Sequence, residues 1–380
     1  MADTASQVLA AEQASRQATR LAAFHRLRGR TSPLEPAQIT SQLRSLVDKV
    51  MGEAGLYDPQ GAALALKQSE GDALEAAVLL RAYRQTLRRG YTSETLQSRA
   101  LWVRRRISSA FREIPGGQIL GATRDYTQRL LEAGLARETP EAGDTFLEAF
   151  ARRLADRKCE PLRTYPKVAD MLVKEGLMAP VDDAGDPRLQ DITREPIRFP
   201  APRSAALQSL ARAETGAIMA LAYSGMRGQG GDHPTIGEIR VGRVAVCVED
   251  RLGRKRTLGR IQITEAENIS KIKVAKKRSL PLMSLGYGLC FGQNETKAIC
   301  MGMLDRGMRI PGDGAPAVSQ EFVLHHTEGA DAWGAVNSLK LPETPGMTSC
   351  LHDLRQAVGR KQALDQARTA RKSAGIAGTG

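Results

Sequence analysis

The sequence has no run of 18 or more apolar residues, so it offers no transmembrane helix. Its first thirty residues, MADTASQVLAAEQASRQATRLAAFHRLRGR, carry Ala and Arg but lack the continuous apolar stretch of a secretory signal. Their spaced Leu and Ala fit an ordinary helix. A cytoplasmic location without a membrane partner is the expectation. Cysteine is scarce and unpaired in pattern: Cys159, Cys247, Cys290, Cys300 and Cys350 are odd in number and form no CxxC. That disfavours a disulfide framework and a Cys-rich zinc or iron–sulfur site. Aromatics make up only 4% of the chain, so a platform for stacking nucleobases is poorly supplied. A formal net charge of +13 invites a nucleic-acid reading, but charge alone carries it. A polyphosphate substrate or an acidic partner subunit would use the same surplus, and no nucleic-acid partner is expected.

What is present can bury a core: 42% of the 380 residues are hydrophobic and 26% charged. The first third has helical periodicity. Leu43, Leu46, Val47, Val50 and Met51 repeat at one-face spacing, and Gly55 is a natural stop. A helix is predicted from Asp72, with Glu75 completing a capping-box pattern and Ala76, Leu80, Tyr83 and Leu87 on one face. The run Arg104, Arg105, Arg106 is expected to be a solvated helix face. Pro115-Gly116-Gly117 marks a turn.

The second half changes period. Val244, Val246 and Val248 alternate as in a half-buried strand, with Ile261 and Ile263 continuing the sheet. Gly286 to Gly292 reads as a strand ending in a turn, after which Asn294 opens a helix to about Asp305. The expected class is α+β: a helical N-terminal part, then a mixed α/β part with an antiparallel or mixed sheet. The expected boundaries are a helical region 1–131, a variable insertion 132–190, an α+β region 191–354 with the active loop, and a basic tail 355–380 forming a short, fraying helix.

Residues 222–240, AYSGMRGQGGDHPTIGEIR, concentrate the chemistry. Gly225, Gly228, Gly230 and Gly231 free the backbone to approach a ligand. Arg227 and Arg240 suit phosphate oxygens, while His233 and Glu238 can move protons. A plain hairpin-like loop with solvated charges explains the same residues about equally well. No Gly-Lys-Ser/Thr follows, so this is not a Walker loop. Asp191-Ile192-Thr193-Arg194 with Arg203-Ser204 suits an anion-gripping loop or, more simply, a turn and a helix cap. The pair His325-His326 is weak metal evidence. Glu265 and Glu267 would share one strand face, where they could bind a metal or act as acid and base; a salt bridge to a nearby Lys is the simpler role.

In order along the chain, several segments resemble the I subunit of the carbon–phosphorus lyase core complex. They are AALALKQSEGDALEAAVLLRAYRQTL (62–87), RRISSAFREIPGGQILGATRDYTQRLL (105–131), DITREP (191–196), ALAYSGMRGQGGDHPTIGEIRVG (220–242), GYGLCFGQNETKA (286–298) and EFVLHHTEGADAWGAVNSLKLP (321–342). The resemblance implies an enzyme of phosphonate use. With partner subunits it displaces adenine from MgATP by an alkylphosphonate, giving ribose 1-alkylphosphonate 5-triphosphate, before a radical-SAM subunit breaks the carbon–phosphorus bond. Oxocarbenium character at C1′ calls for a carboxylate, an acid for the base, and cations for the triphosphate. Glu238 or Asp232, then His233, then Arg227, Arg240, Arg194 and Arg203 with Gly228 and Gly230, are the residues assigned to those tasks, with Mg²⁺ carried by ATP.

Three departures stand out. Ser338 and Glu343 occupy the positions flanking LKLP where the family has metal-binding histidines, which puts zinc in doubt and leaves His326 with Glu343 as a substitute pair. The opening segment is Ala-rich rather than a Gly-containing strand. Residues 251–278 are unusually basic. A divergent, non-catalytic scaffold subunit is the rival reading, and a nucleic-acid binder the last.

Overall fold

In a computed structural model, residues 2–155, 165–178, 189–228, 234–271, 282–309, 316–340 and 345–376 are described. Helices α1 (Ala2–Leu27), α2 (Pro36–Gln42), α3 (Arg44–Ala54), α4 (Pro59–Gln68) and α5 (Ala73–Thr86) come first. They are followed by β1 (Trp102–Ile107), α6 (Pro140–Ala155), α7 (Val168–Lys174), α8 (Arg203–Arg212) and α9 (Thr215–Gly228). Strands β2 (Thr235–Glu249), β3 (Lys255–Lys271) and β4 (Met283–Phe291) come next, then α10 (Glu295–Arg309) and α11 (Gln320–His326). Met1–Gly329 form one compact unit. Ala330–Gly380 form a second, made of most of α12 (Gly329–Ser338) and all of α13 (Pro345–Ile376). No helix among the described residues is long and apolar enough to cross a membrane.

The N-terminal helices follow their sequence signals. Asp58 caps α4 through Gly61 N, and Asp72 caps α5 through Leu74 N and Glu75 N. Gly55 ends α3 at φ 67°, a conformation that Gly adopts without Cβ strain. Ile39, Val47, Val50, Met51, Leu66 and Leu80 close a small core between α2 and α5. Tyr83 and Leu87, placed by period on the same face, are exposed because the helix runs past the core.

The sheet order is β1-β2-β3-β4, all antiparallel, which gives the α+β class. One face packs Ile239, Val241, Ala266 and Cys290 against α8, α9 and α10. β4 and α10 touch closely: a Cβ at Gly286 would lie 1.9 Å from Gly302 O, and one at Gly288 would lie 2.0 Å from Ala298 O. Those two glycines of GYG let the helix lie directly on the strand. The opposite sheet face is covered by residues 96–119 and 165–178, with an apolar patch at Ile263 and another at Ile269.

Three expectations are corrected. Arg104–Arg106 lie on a strand, not a helix. A register shift between Val103 and Arg105 breaks the alternation, so Arg105 and Arg106 are both buried, on opposite faces. Each is surrounded by acceptors, and that is what makes burial of two guanidiniums tolerable. Residues 222–240 are not one loop, because Ala222–Gly228 end α9 and Thr235–Arg240 begin β2. The tail is a helix of 32 residues rather than a short one.

Candidate functional site

The buried face of the sheet between the two apolar patches carries an ionic network. Glu238 and Arg240 on β2 lie across from Glu267 and Glu265 on β3, and all four are at most 3% exposed. Period-two alternation puts Ile263, Glu265, Glu267 and Ile269 on one face, so the charges sit between apolar ends. Arg106 Nε donates to Glu238 Oε1, and its Nη groups donate to Pro115 O (2.7 Å), Gly117 O (2.9 Å) and Pro166 O (2.9 Å). The Pro-Gly-Gly turn is therefore fixed by the same guanidinium that binds Glu238.

Helix α7 contributes its first amides: Val168 N donates to Glu238 Oε2 at 3.2 Å, and Ala169 N to Glu267 Oε2 at 3.3 Å. Lys167, just before the helix, bridges Glu265 Oε1 (2.6 Å) and Glu267 Oε1 (3.0 Å). Tyr287 on β4 donates to Glu265 Oε1 at 2.7 Å. Arg240 pairs with Glu265 Oε2 and donates to Ser98 O at 3.2 Å, while its Nη1 is buried without a hydrogen-bond partner.

Burial alone would raise the Glu265 carboxyl. The charges of Arg240 and Lys167, with hydrogen bonds from Lys167 and Tyr287, outweigh it and hold the group at about 2. Glu267 goes the other way: burial dominates, the Glu265 and Glu238 charges add to it, and its carboxyl is raised. Lys167 is raised despite burial because Glu267 and Glu265 favour the ammonium. Burial and the Glu265 charge push the Tyr287 phenol up, so it stays a donor. Three cations and three carboxylates thus meet with their hydrogen bonds almost fully used. The network clamps the covering layer to the sheet.

The remaining motif residues are distributed around this core. Arg227 is exposed at the end of α9, its guanidinium 5.9 Å from the Tyr223 ring centroid, and Gly228 is the last helical residue. Gly230, Asp232 and His233 lie outside the described residues. Arg203 bonds Asp305, which also accepts from Arg309 and from Tyr287 N. Arg194 is exposed and 3.8 Å from Asp191, whose main partner is Arg89 at 2.7 Å.

Two surface features flank these residues. A broad cavity of about 490 Å³ is lined by Gln190, Glu195, Pro196, Arg198, Pro200 and Pro202. A narrower cleft lies between α9, Pro234 and α10.

A family model described as bacterial phosphonate metabolism protein (PhnI) matches residues 6–361. The chain belongs to the PhnI family. It is 44% identical over 329 residues to the putative C-P lyase subunit protein HtxH of Stutzerimonas stutzeri, covering 85% of this chain and 87% of that protein. It is 41% identical over 343 residues to the alpha-D-ribose 1-methylphosphonate 5-triphosphate synthase subunit PhnI of Rhizobium meliloti (strain 1021), covering 87% and 88%. The protein of the same name from Escherichia coli (strain K12) is 42% identical over 314 residues, 81% of this chain and 85% of that one.

Of the substitute metal pair, His326 and Glu343, only His326 is among the described residues of this PhnI-family chain. No group of three or more His, Cys, Asp or Glu there is arranged to hold a metal. His326 is exposed, stacked on Phe322 at 4.0 Å, with Nδ1 2.8 Å from Phe322 O, and Glu343 lies outside the described residues. Glu265 and Glu267 do take a Lys bridge, as expected of that pair. Sequence reasoning missed Arg106, Lys167 and Tyr287 as members of the network. The available signal was Trp-Val-Arg-Arg-Arg-Ile, a charged run interrupting apolar alternation beside a Pro-Gly-Gly turn.

Proposed function

We propose that this chain is a subunit of a carbon–phosphorus lyase system and, with partner subunits, displaces adenine from MgATP by an alkylphosphonate. A phosphonate oxygen forms a bond to C1′, the C1′–N9 bond breaks, and adenine leaves with a proton. The product is ribose 1-alkylphosphonate 5-triphosphate. The near-full-length match to relatives named as subunits of that synthase carries the reading. Its surroundings are cytoplasmic, and a radical-SAM subunit is among its partners.

His233 protonates the leaving base and Asp232 faces the developing cation in this reading. Exposed Arg227 and Arg194 serve the triphosphate, with Mg²⁺ entering as part of the substrate. Glu238 supports them from within the network, where it anchors the first residues of β2. The test is to co-purify the chain with its neighbouring subunits, supply MgATP and methylphosphonate, and follow adenine release and the ribosyl phosphonate. No adenine from the complete complex would remove the reading.

A second reading, a scaffold that assembles partners which do the chemistry, is favoured by α6. That helix contributes no buried residue and exposes Phe146, Leu147, Phe150 and Leu154. His233→Ala in the assembled complex separates the two: an unchanged rate of adenine release supports the scaffold.

A further inference from the structure

We propose that the outer half of the β2–β3 hairpin is a docking arm for an acidic segment of another protein chain. The strand pairing makes it an arm. β1 follows β2 only as far as Arg243, and β4 follows β3 only from Ile263 onward. Beyond those points residues 244–249 and 255–262 pair with each other. The segment at Ser93 and Glu94 adds one bridge to Val248 and one hydrogen bond to Cys247 O. One face of the arm is covered, with Val244 and Ile261 against the apolar patch at Ile263. The other face carries Trp102, Arg243, Ala245 and Arg260, which the register puts side by side, and all of residues 251–260 are exposed.

The charge of the arm is one-sided. Residues 243–260 hold six Arg and Lys against Glu249 and Asp250. Arg254 and Arg256 share Asp250, at 3.4 and 3.1 Å, and Lys255 is 2.5 Å from Glu94. Arg243 and Arg251 have no acidic partner among the described residues. That surplus repels a second copy of the same arm and attracts an acidic surface. The tip is also preformed. Asp250 Oδ1 accepts from Leu252 N (2.9 Å) and Arg254 N (3.0 Å), and Gly253 N donates to Asp250 O at 2.9 Å. A partner need not order the tip, which keeps the entropy lost on docking low.

A polypeptide fits this surface better than a nucleic acid. Carboxylates are the anions that the arm already holds. Leu252 and Leu258 stand exposed among the cations, and a protein segment offers apolar side chains as well as carboxylates. The Trp102 ring is covered by the Arg260 guanidinium, 4.0 Å from its centroid, so no base stacks on that face. None of these residues has a task in the proposed reaction. The partner expected is a neighbouring subunit of the complex proposed above, and only that identity rests on the proposed function.

Two charge reversals in the full chain test the arm. Arg243→Glu with Arg251→Glu alters the arm without breaking an ion pair there, and Arg360→Glu with Lys361→Glu makes the same change of charge on α13. All four side chains are exposed, so wild-type melting is expected of both variants. The probe is fluorescein-labelled deca-glutamate, read by anisotropy at low salt. The arm variant should bind it about tenfold or more weakly, and the α13 variant within about twofold of the wild type. If Arg243→Glu lowers the melting temperature, Arg251→Glu with Leu252→Ser replaces it, with binding weaker by about threefold or more. In the complex co-purified with neighbouring subunits, a zero-length carbodiimide cross-linker should join Lys255 to Glu94, which serves as the internal control. It should also join Lys255 to an Asp or Glu of another subunit, and that product should fall in the arm variant.

No binding of deca-glutamate by the wild type, or equal weakening in both variants, overturns the arm. Loss of deca-thymidylate binding in the arm variant without loss of deca-glutamate binding assigns the surface to nucleic acid and also overturns it. So does a complete complex in which Lys255 reaches only Glu94. If no subunit co-purifies, the proposed function fails, and deca-glutamate alone decides the arm.

Discussion

Arg106 on β1 is bonded to Glu238 on β2, and both side chains are withdrawn from solvent. The pair is held from outside as well, by Val168 N on the carboxylate and three backbone carbonyls on the guanidinium. Removing one member strands the other charge in the interior, which costs about 3–5 kcal/mol. Glu238→Ala is therefore expected to lower unfolding free energy by about that amount, measured by denaturant melts. Glu238→Gln keeps the shape and an acceptor oxygen. If it melts near the wild-type value yet releases no adenine, Glu238 acts in the reaction and not only in the fold.

Glu265 and Glu267 stand two residues apart on one strand face and make opposite contributions to the pH dependence of stability. The Glu265 carboxyl is depressed to about 2, so its stabilisation is present above the unfolded value and fades as pH falls toward 2. The Glu267 carboxyl is raised, so its charged form is a cost at neutral pH that is relieved as pH falls. Glu265→Gln should flatten the acid limb of a stability profile between about pH 5 and pH 2. Glu267→Gln should steepen the net loss at higher pH, between the raised native value and the ordinary carboxylate value of about 4.3. Equal slopes in all three proteins would mean that the network does not titrate as its geometry implies.

The sequence reading succeeded where local signals and burial agree, and it failed where distant partners decide. The Asp72 cap, the Gly55 stop, the Val244 alternation and the strand ending at Gly292 are local, and each is where its pattern put it. Arg105 and Arg106 were misread because nothing nearby announces Glu238, which is distant in the chain and close only after β1 pairs with β2. The same holds for Arg203, which has the look of an anion-binding residue at a helix start and whose partner is Asp305. Motif composition singled out the segment 222–240 but not that its two ends belong to a helix and a strand, which the packing of α9 and the pairing of β2 decide.

Helix packing on β4 offers a steric test. A Cβ at Gly288 would meet Ala298 O at 2.0 Å, and neither a strand nor a helix backbone can yield that far locally. Gly288→Ala should push α10 from the sheet and destabilise by about 3 kcal/mol, the upper end of ordinary overpacking. The check is a melt of the purified variant beside Gly259→Ala, where a Cβ meets nothing within 4 Å and little change is expected.

Helix α6 makes the opposite prediction. Phe146 and Phe150 stack on one another at 5.9 Å and remain largely exposed. Phe146→Asp with Phe150→Asp should leave the melting temperature of the isolated chain unchanged and raise its solubility. A fall in melting temperature would show that the helix covers apolar surface of its own chain. Loss of co-purifying subunits with an unchanged melt is the result expected of an interface.

The four arginines assigned to the triphosphate divide by what already holds them. Arg240 and Arg203 bind buried carboxylates, Glu265 and Asp305, so their removal leaves charge stranded in the interior. Arg227 is exposed, and Arg194 is only 3.8 Å from an Asp191 that Arg89 already binds. Arg227→Ala and Arg194→Ala should therefore raise the KM for MgATP, by about tenfold for each lost charged contact, with normal melting. Arg240→Ala and Arg203→Ala should lower the melting temperature before any effect on KM can be read. Salt separates the groups further: an exposed guanidinium acting on a triphosphate is screened, so the effect of Arg227→Ala should shrink as ionic strength rises, while the stability loss of Arg240→Ala persists.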